Sequence, residues 1–334
     1  MVASAVTRGA RGSSTRLLAL AMVGTAGLSM WMSNIAAAAM MLAALTTLGG
    51  DPRLQRALVL GIAIAANLGG MGTPISSGPN GIAIGFAGAI HPVTFAQWMA
   101  FAVPLVVVTV AVAWLLITAV YRVPTVTPPT AMPVQRLAGR GWAVVGLAAA
   151  AVAAWMSETL HGVDAAVVSL ALAAALFTGG LLKPRDLTLI DWSTLLLVAG
   201  GLGMGRLLEQ AGLQTWVAGQ VASAAWSPVA VLAMLLASAA ALAAVMSNTA
   251  AATLLVPVAM AIDPHPPQWA LLVALAASFG MPFAVSTPPN AMAVGRGVRG
   301  VDLLWLGGAL MIGGVAVLAL TGPLVLTLVG VGGR

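Results

Sequence analysis

The sequence predicts an all-α polytopic membrane protein, built as an inverted repeat with two re-entrant helical hairpins and two broken helices. Three observations predict it. Of 334 residues only 14 are Lys or Arg and 8 are Asp or Glu, so 7% of the chain is charged and 60% is hydrophobic; a soluble domain carries about 25% charged residues. Apolar blocks of spanning length recur along the whole chain. One unusual pair of segments, an overlong apolar block followed by a block interrupted by Gly, Pro, Ser and Asn, occurs twice.

The same counts exclude other classes. The net charge of +6 comes from Arg scattered between apolar runs, with no basic face to follow a phosphate backbone, so no nucleic acid is a partner. With no cysteine and only three histidines, lacking paired spacing, disulfides, thiolate sites and zinc are not expected. Cofactors and metals other than a coupling ion are therefore not expected.

Residues 1–16 read as a basic cytoplasmic N-terminus, and 17–120 as the first repeat. In it, 17–48 would form a helix on the order of 50 Å if continuous, too long for one crossing, so two short helices in a re-entrant hairpin are expected. Block 57–90 is broken between Asn67 and Asn80, where Gly-Gly, Thr-Pro and Gly-Pro steps cannot stay helical. A simple Pro kink needs one Pro, not such a run. Block 95–120 is an ordinary span. Residues 121–140, rich in Pro, form a cytoplasmic linker, and 141–208 hold three spans at 141–158, 165–182 and 191–208. The second repeat, 209–330, has an arm at 209–226, a hairpin at 228–262, a helix at 268–295 broken at Gly280-Met-Pro282 and Ser286 to Asn290, and a span at 303–330.

Charge decides between crossing and re-entry. With both hairpins re-entrant, Arg8, Arg11, Arg16, Arg53, Arg56, Arg122, Arg136, Arg140, Lys183, Arg185, Arg296 and Arg299 share one side, as cytoplasmic Lys and Arg do. The N-terminus is then cytoplasmic, in a plasma (inner) membrane, and His91, His161, Asp164, Asp263 and His265 are solvated outer-loop residues. Five crossings separate the hairpins, so the copies are inverted. Discontinuous helices in inverted repeats mark the binding site of a secondary transporter, because irregular backbone at that depth must line a site that satisfies it.

The hairpin tips read Ser33-Asn34-Ile35 and Ser247-Asn248-Thr249, and the loops Ser77-Gly78-Pro79-Asn80 and Thr287-Pro288-Pro289-Asn290. With Asp191-Trp-Ser-Thr-Leu-Leu-Leu-Val-Ala-Gly-Gly ahead of the second hairpin, these resemble the divalent anion/sodium symporter family of dicarboxylate, citrate and sulfate carriers. The likeness runs from about Leu17 to the C-terminus, so the chain reads as N-terminally shortened. Ile35 stands where the family has a tip Thr, and Gly78 where it has a loop Pro.

No Lys, Arg or His lies near the middle of a block. An anion there must be held by amides, hydroxyls, backbone N–H groups and half-helix ends, and a dianion needs bound cations besides. The resemblance implies an anion between the tips, touching Asn34, Ser77, Gly78, Asn248, Thr249, Thr287 and Pro288. It implies one Na⁺ held by Ser29, Ser33, Asn34, Ser76 and Gly78, and another by Ser247, Asn248, Ser286 and Pro288. Asn80 and Asn290 brace the loops. The family's alternating access, hairpins and broken helices moving against a scaffold, and its homodimer are implied in the same way. The expected partners are thus a small divalent anion, Na⁺ and the lipid bilayer.

Other readings stand beside this one. A cation/proton antiporter would want a midplane carboxylate, whereas Asp191, Asp302 and Glu209 lie at segment ends. An enzyme would need a general base or metal, and no such arrangement lies at depth. A truncated fragment without transport is a third reading, and a signal peptide over 1–39 competes for the N-terminus. Gly201/Gly205 and Gly81/Gly85 read as helix packing. Trp98, Trp142, Trp155, Trp192, Trp269 and Trp305 read as interfacial anchors, and Trp31 as packing against the other repeat or facing the pocket.

Overall fold

The computed structural model describes residues 2–45, 51–88, 92–123, 139–212, 216–217, 219–220, 223, 226–262 and 267–331. His91, Asp263, His265, most of the linker and part of the 209–226 arm lie outside them. Every regular element among the described residues is helical.

The first repeat holds α2 (Ser14–Ser29), α3 (Asn34–Leu45), α4 (Pro52–Gly69), α5 (Gly78–Ala87) and α6 (Phe95–Tyr121). A helix that the basic composition of 1–16 did not suggest, α1 (Val2–Gly9), precedes it and packs on α2 through Val6 and Ala10. Between the repeats lie α7 (Gly139–Met156), the single turn α8 (Glu158–His161), α9 (Ala165–Thr178), a 3-10 turn at Pro184–Leu189 and α10 (Trp192–Gln210). The second repeat has α11 (Pro228–Val245), α12 (Asn248–Ile262), α13 (Gln268–Ser278), α14 (Pro288–Val294) and α15 (Gly300–Leu328).

Capping explains where these helices start. Asp51 accepts from the Arg53 amide at 2.6 Å ahead of α4, Thr94 and Gln97 form a capping box at α6, and Ser227 accepts from Ala230 N before Pro228 opens α11. Each removes an orphan N–H of a first turn. Both apolar blocks break where the sequence requires two helices, at Met30–Ser33 and at Met246–Ser247. The arms are unequal, however. At 18 residues α11 is apolar and long enough to cross a membrane by itself, as are α6, α7 and α15, so the second hairpin is not made of two short helices. In contrast, α9 ends at Thr178, at 14 residues; at about 1.5 Å per residue that is shorter than a ~30 Å hydrocarbon core.

The two repeats pack as a swapped pair. Within each, the hairpin's first arm packs on the first half of the broken helix, α2 on α4 and α11 on α13, and the last span covers both. The second halves cross over: α5 packs on α12 and α13, while α14 packs on α3 and α4. At the centre lie α4, buried without interruption from Ala57 to Gly69, and α13, buried at every residue. A helix apolar on all sides belongs there, and Ala and Gly let its neighbours approach. Gly201 and Gly205 do the same for α10, against Thr253 and Pro257 of α12 and Phe86 of α5, so that pair is helix packing within the chain. Gly85 faces Leu202, whereas Gly81 faces open space.

The tryptophans divide. Trp142, Trp192 and Trp305 are exposed, but Trp98, Trp155 and Trp269 are buried and are not interfacial anchors. Trp31 does not line the pocket; it stacks on Phe95 at 6.2 Å between centroids, and Phe95 stacks on Trp155 of α7 at 5.1 Å.

At Gly69 a methyl group would stand 2.7 Å from the Ala26 Cα and overlap its carbonyl oxygen. Gly69→Ala is therefore expected to force α2 from α4 at a cost of about 1–3 kcal/mol, read as a lower Tm in detergent. Gly81→Ala should leave Tm unchanged or slightly raised.

Candidate functional site

Two tips and two loops meet around one cavity of about 520 Å³. From the first repeat it is lined by Ser33, Asn34, Ile35, Asn67, Ser76, Ser77 and Gly78, and from the second by Ser247, Asn248, Thr249, Ser286, Thr287 and Pro288. Residues as far apart in sequence as Ser33 and Pro288 thus share one space.

Local hydrogen bonding builds each tip. Ser33 Oγ accepts from Ala36 N at 3.3 Å and Ser247 Oγ from Ala250 N at 3.1 Å, so each serine caps the helix whose first residue is the tip asparagine. Ser29 is fully buried and does not line the cavity; its hydroxyl is within hydrogen-bonding distance of Asn34 Oδ1 at 2.9 Å and of Ala66 O at 2.6 Å. It orients Asn34 from behind.

The loops are stapled by their asparagines. Asn80 Nδ2 donates to Gly70 O at 2.9 Å and Thr73 O at 2.8 Å, and Asn290 Nδ2 to Met281 O and Phe283 O, both at 3.0 Å. Carbonyls freed by the helix break are thereby partnered. A hydroxyl then ties each loop to its own hairpin: Thr73 donates to Met30 O, and Ser286 to Ala244 O at 2.6 Å. Ser76 Oγ lies 2.7 Å from both Gly70 O and Thr73 O. Thr287 Oγ1 accepts from Asn290 N at 3.4 Å and caps α14. Its counterpart Ser77 makes no such bond, and its hydroxyl has no partner.

The two departures from the family pattern have different consequences. Ile35 presents an exposed apolar side chain, so the first tip offers no hydroxyl at the position of Thr249 in the second. Gly78 abuts Thr249 so closely that any Cβ at 78 would overlap the threonine hydroxyl. A proline ring there would be excluded as the two repeats stand.

Electrostatically the cavity is mixed. Helices α3, α5, α12 and α14 all begin at its lining residues Asn34, Gly78, Asn248 and Pro288; α3, α5 and α12 bring the partial positive charge of their first turns to it, whereas α14 opens on Pro288 and Pro289, which have no N–H. Among the described residues no cationic side chain lines it, and the one charged lining residue is Asp191, which accepts from the Thr194 hydroxyl at 2.7 Å. Yet Asn67 Oδ1, Asn80 Oδ1 and Asn248 Oδ1 are buried acceptors with no donor, each costing roughly 1–3 kcal/mol unless something positive meets it.

Four residues escaped the sequence reading. Asn67 falls in the last turn of α4, lines the cavity and donates through Nδ2 to Asn290 Oδ1 at 3.0 Å, joining the repeats. Asp191 and Thr194 bring the start of α10 to the cavity; the segment was noticed, its place was not. Trp98 Nε1 donates to Met71 O at 2.9 Å and supports the first loop. Only Asn67 carried a signal, as a polar residue in an otherwise apolar run.

The family model described as citrate transporter matches residues 1–277. Among curated proteins, the low-affinity phosphate transporter PHO90 of Saccharomyces cerevisiae is 29% identical over 210 residues, covering 60% of this chain and 24% of that protein. The sodium-dependent dicarboxylate transporter SdcS of Staphylococcus saprophyticus is 28% identical over 339 residues, covering 86% and 64%, and SdcS of Staphylococcus aureus is 26% identical over 332 residues, covering 85% and 64%. The chain thus spans about a quarter of the yeast relative and just under two thirds of the staphylococcal ones.

Because the chain contains no cysteine, the meeting of the repeats can be tested directly. A Cβ at position 78 would lie 3.1 Å from that of Thr249, slightly inside the usual disulfide range. Gly78→Cys with Thr249→Cys should close a disulfide under mild oxidant, seen as loss of maleimide labelling. Retained labelling of both would show that the loop and tip do not meet.

Proposed function

The chain belongs to the citrate transporter family, and from that premise we propose that it is a secondary carrier that takes a small divalent anion, a di- or tricarboxylate or sulfate, together with Na⁺, by alternating access. The observation carrying this reading is the pairing of opposite demands in one cavity. Helix starts and the free Ser77 hydroxyl offer donors to an anion, and the buried carboxamide oxygens of two lining residues, Asn67 and Asn248, ask for a cation.

Magnitude favours both ligands together. A helix N-terminus carries about half a positive charge, and three of the four helices starting here have ten or more residues. Together they supply roughly one and a half units, less than a dianion needs, and Asp191 subtracts from it. Asn34, Asn248, Thr249, Ser77, Thr287 and the backbone N–H of Gly78 would hold the anion, with Pro288 touching it only through its ring. The cations would take oxygens of Ser33, Asn34 and Ser76 with the Gly78 carbonyl, and of Ser247, Asn248 and Ser286 with the Pro288 carbonyl; Ser29 would act by orienting Asn34. The sodium-dependent dicarboxylate carriers among the relatives support this choice of ligands. The yeast relative makes phosphate the second substrate to try.

Re-entry of the first hairpin has support from helix ends. Trp114 Nε1 donates to Thr15 O at the start of α2, seven residues from Tyr121, which shares a cavity with Leu60 and Asp302; Arg56 and Arg296 share another. The start of the hairpin thus lies toward the helix ends that carry Arg, and its end, Leu45, is six residues from Asp51 at the Arg-bearing start of α4; the positive-inside rule assigns such ends to the cytoplasm of a plasma (inner) membrane.

Proteoliposomes given labelled succinate, citrate, sulfate or phosphate, with and without an inward Na⁺ gradient, test the proposal. At least one anion should accumulate only with the gradient, and Asn248→Ala should lower that uptake tenfold or more. Uptake driven equally by a proton gradient alone, or none of any anion, would refute it.

A further inference from the structure

The two repeats differ at one buried position. Asn67 and Ala277 both lie thirteen residues before the loop asparagine of their repeat, Asn80 or Asn290. Asn67 Nδ2 donates across the repeats to Asn290 Oδ1. The mirror bond, from position 277 to Asn80 Oδ1, cannot form because Ala277 has no donor, and Asn80 Oδ1 is left without a partner. The carboxamide at 67 is therefore a feature of one half alone, which bracing of both loops does not require.

Its orientation is fixed by the network. Asn290 Nδ2 is committed to two carbonyls, so its Oδ1 must face Asn67. Asn67 must answer with Nδ2, which turns its own Oδ1 away from Asn290. That oxygen is buried, on a residue only 2% exposed, lacks any donor, and belongs to a side chain that lines the cavity. An acceptor so placed is unfavourable to an anion and suited to a cation, which prefers neutral oxygens of this kind.

We infer that Asn67 is a further cation ligand of the cavity, binding Na⁺ through Oδ1 while its Nδ2 holds Asn290, so that ion occupancy in one repeat is felt by the broken helix of the other. This rests on the Na⁺-coupled reading above. It adds a ligand outside both tip-and-loop sets, on the last turn of α4.

The test reads ion binding without transport. Purified full chain in detergent is melted over a series of NaCl concentrations, with choline chloride keeping ionic strength constant. Wild type should gain Tm with Na⁺, and Asn67→Ala should need at least tenfold more Na⁺ for the same gain. Asn67→Asp keeps an oxygen, adds charge and loses the donor to Asn290; it should melt lower than wild type in choline, yet respond to at least threefold less Na⁺. A role confined to bracing Asn290 gives a different pattern: both variants melt lower in choline and keep the wild-type Na⁺ response, which overturns the inference. If Asn67→Ala does not fold, the Asp variant decides alone. A wild-type chain indifferent to Na⁺ overturns the cation reading beneath it as well.

Discussion

Everything in this molecule depends on how the backbone is satisfied where two buried helices stop midway. Each break frees carbonyls in a region without water, where an unpaired polar group is expensive. One asparagine per loop meets that demand, its amide donating to two carbonyls on the far side of the turn. Since α4 and α13 are also the most buried helices, these two side chains hold open loops against the centre of the core. A hydroxyl then fastens each loop to its own hairpin, so tip and loop form one unit. The cavity is what remains between two such units.

The crossed packing explains why neither unit is complete alone. Because α5 rests on α12 and α13, and α14 on α3 and α4, the second half of each broken helix is supported by the opposite repeat. Gly78 against Thr249 is the closest expression of this. A ligand bound at the junction, as proposed, would touch both halves at once, the arrangement a carrier needs if binding is to alter how the halves sit.

Much of the architecture was legible because lipid leaves few options. Spanning length, Gly-Pro interruptions and the repeated Ser-Asn tips located nine helical blocks, and the family resemblance of the tips and loops brought eleven of the cavity's lining residues together before any coordinates. What stayed hidden was settled by side-chain packing, on which hydropathy is silent. Trp98 and Trp155 have the sequence positions of membrane-surface anchors, but their rings are in protein and their indole nitrogens bond to Met71 and Ala165 carbonyls. Asp191 looked like an ordinary span boundary, since nothing in sequence says that α10 begins beside the hairpin tips. Asn67 sits on an α-helix one turn before the visible break, so its polarity read as part of the loop. Ser29 was placed by spacing near the tip, correctly in distance along the helix, but its hydroxyl turns inward to Ala66 and Asn34.

The nearly parallel rings of Trp31, Phe95 and Trp155, each pair inclined by 13°, bear on how the first tip is held against α7. They link that tip to α7 through a small apolar cluster separate from the main core. Parallel offset faces glide over one another at little cost but resist being pulled apart. In the alternating-access reading proposed above such a contact would work as a slide bearing: displacement of the tip past α7 would run along the ring planes, as shear, while tilting away from α7 would be opposed.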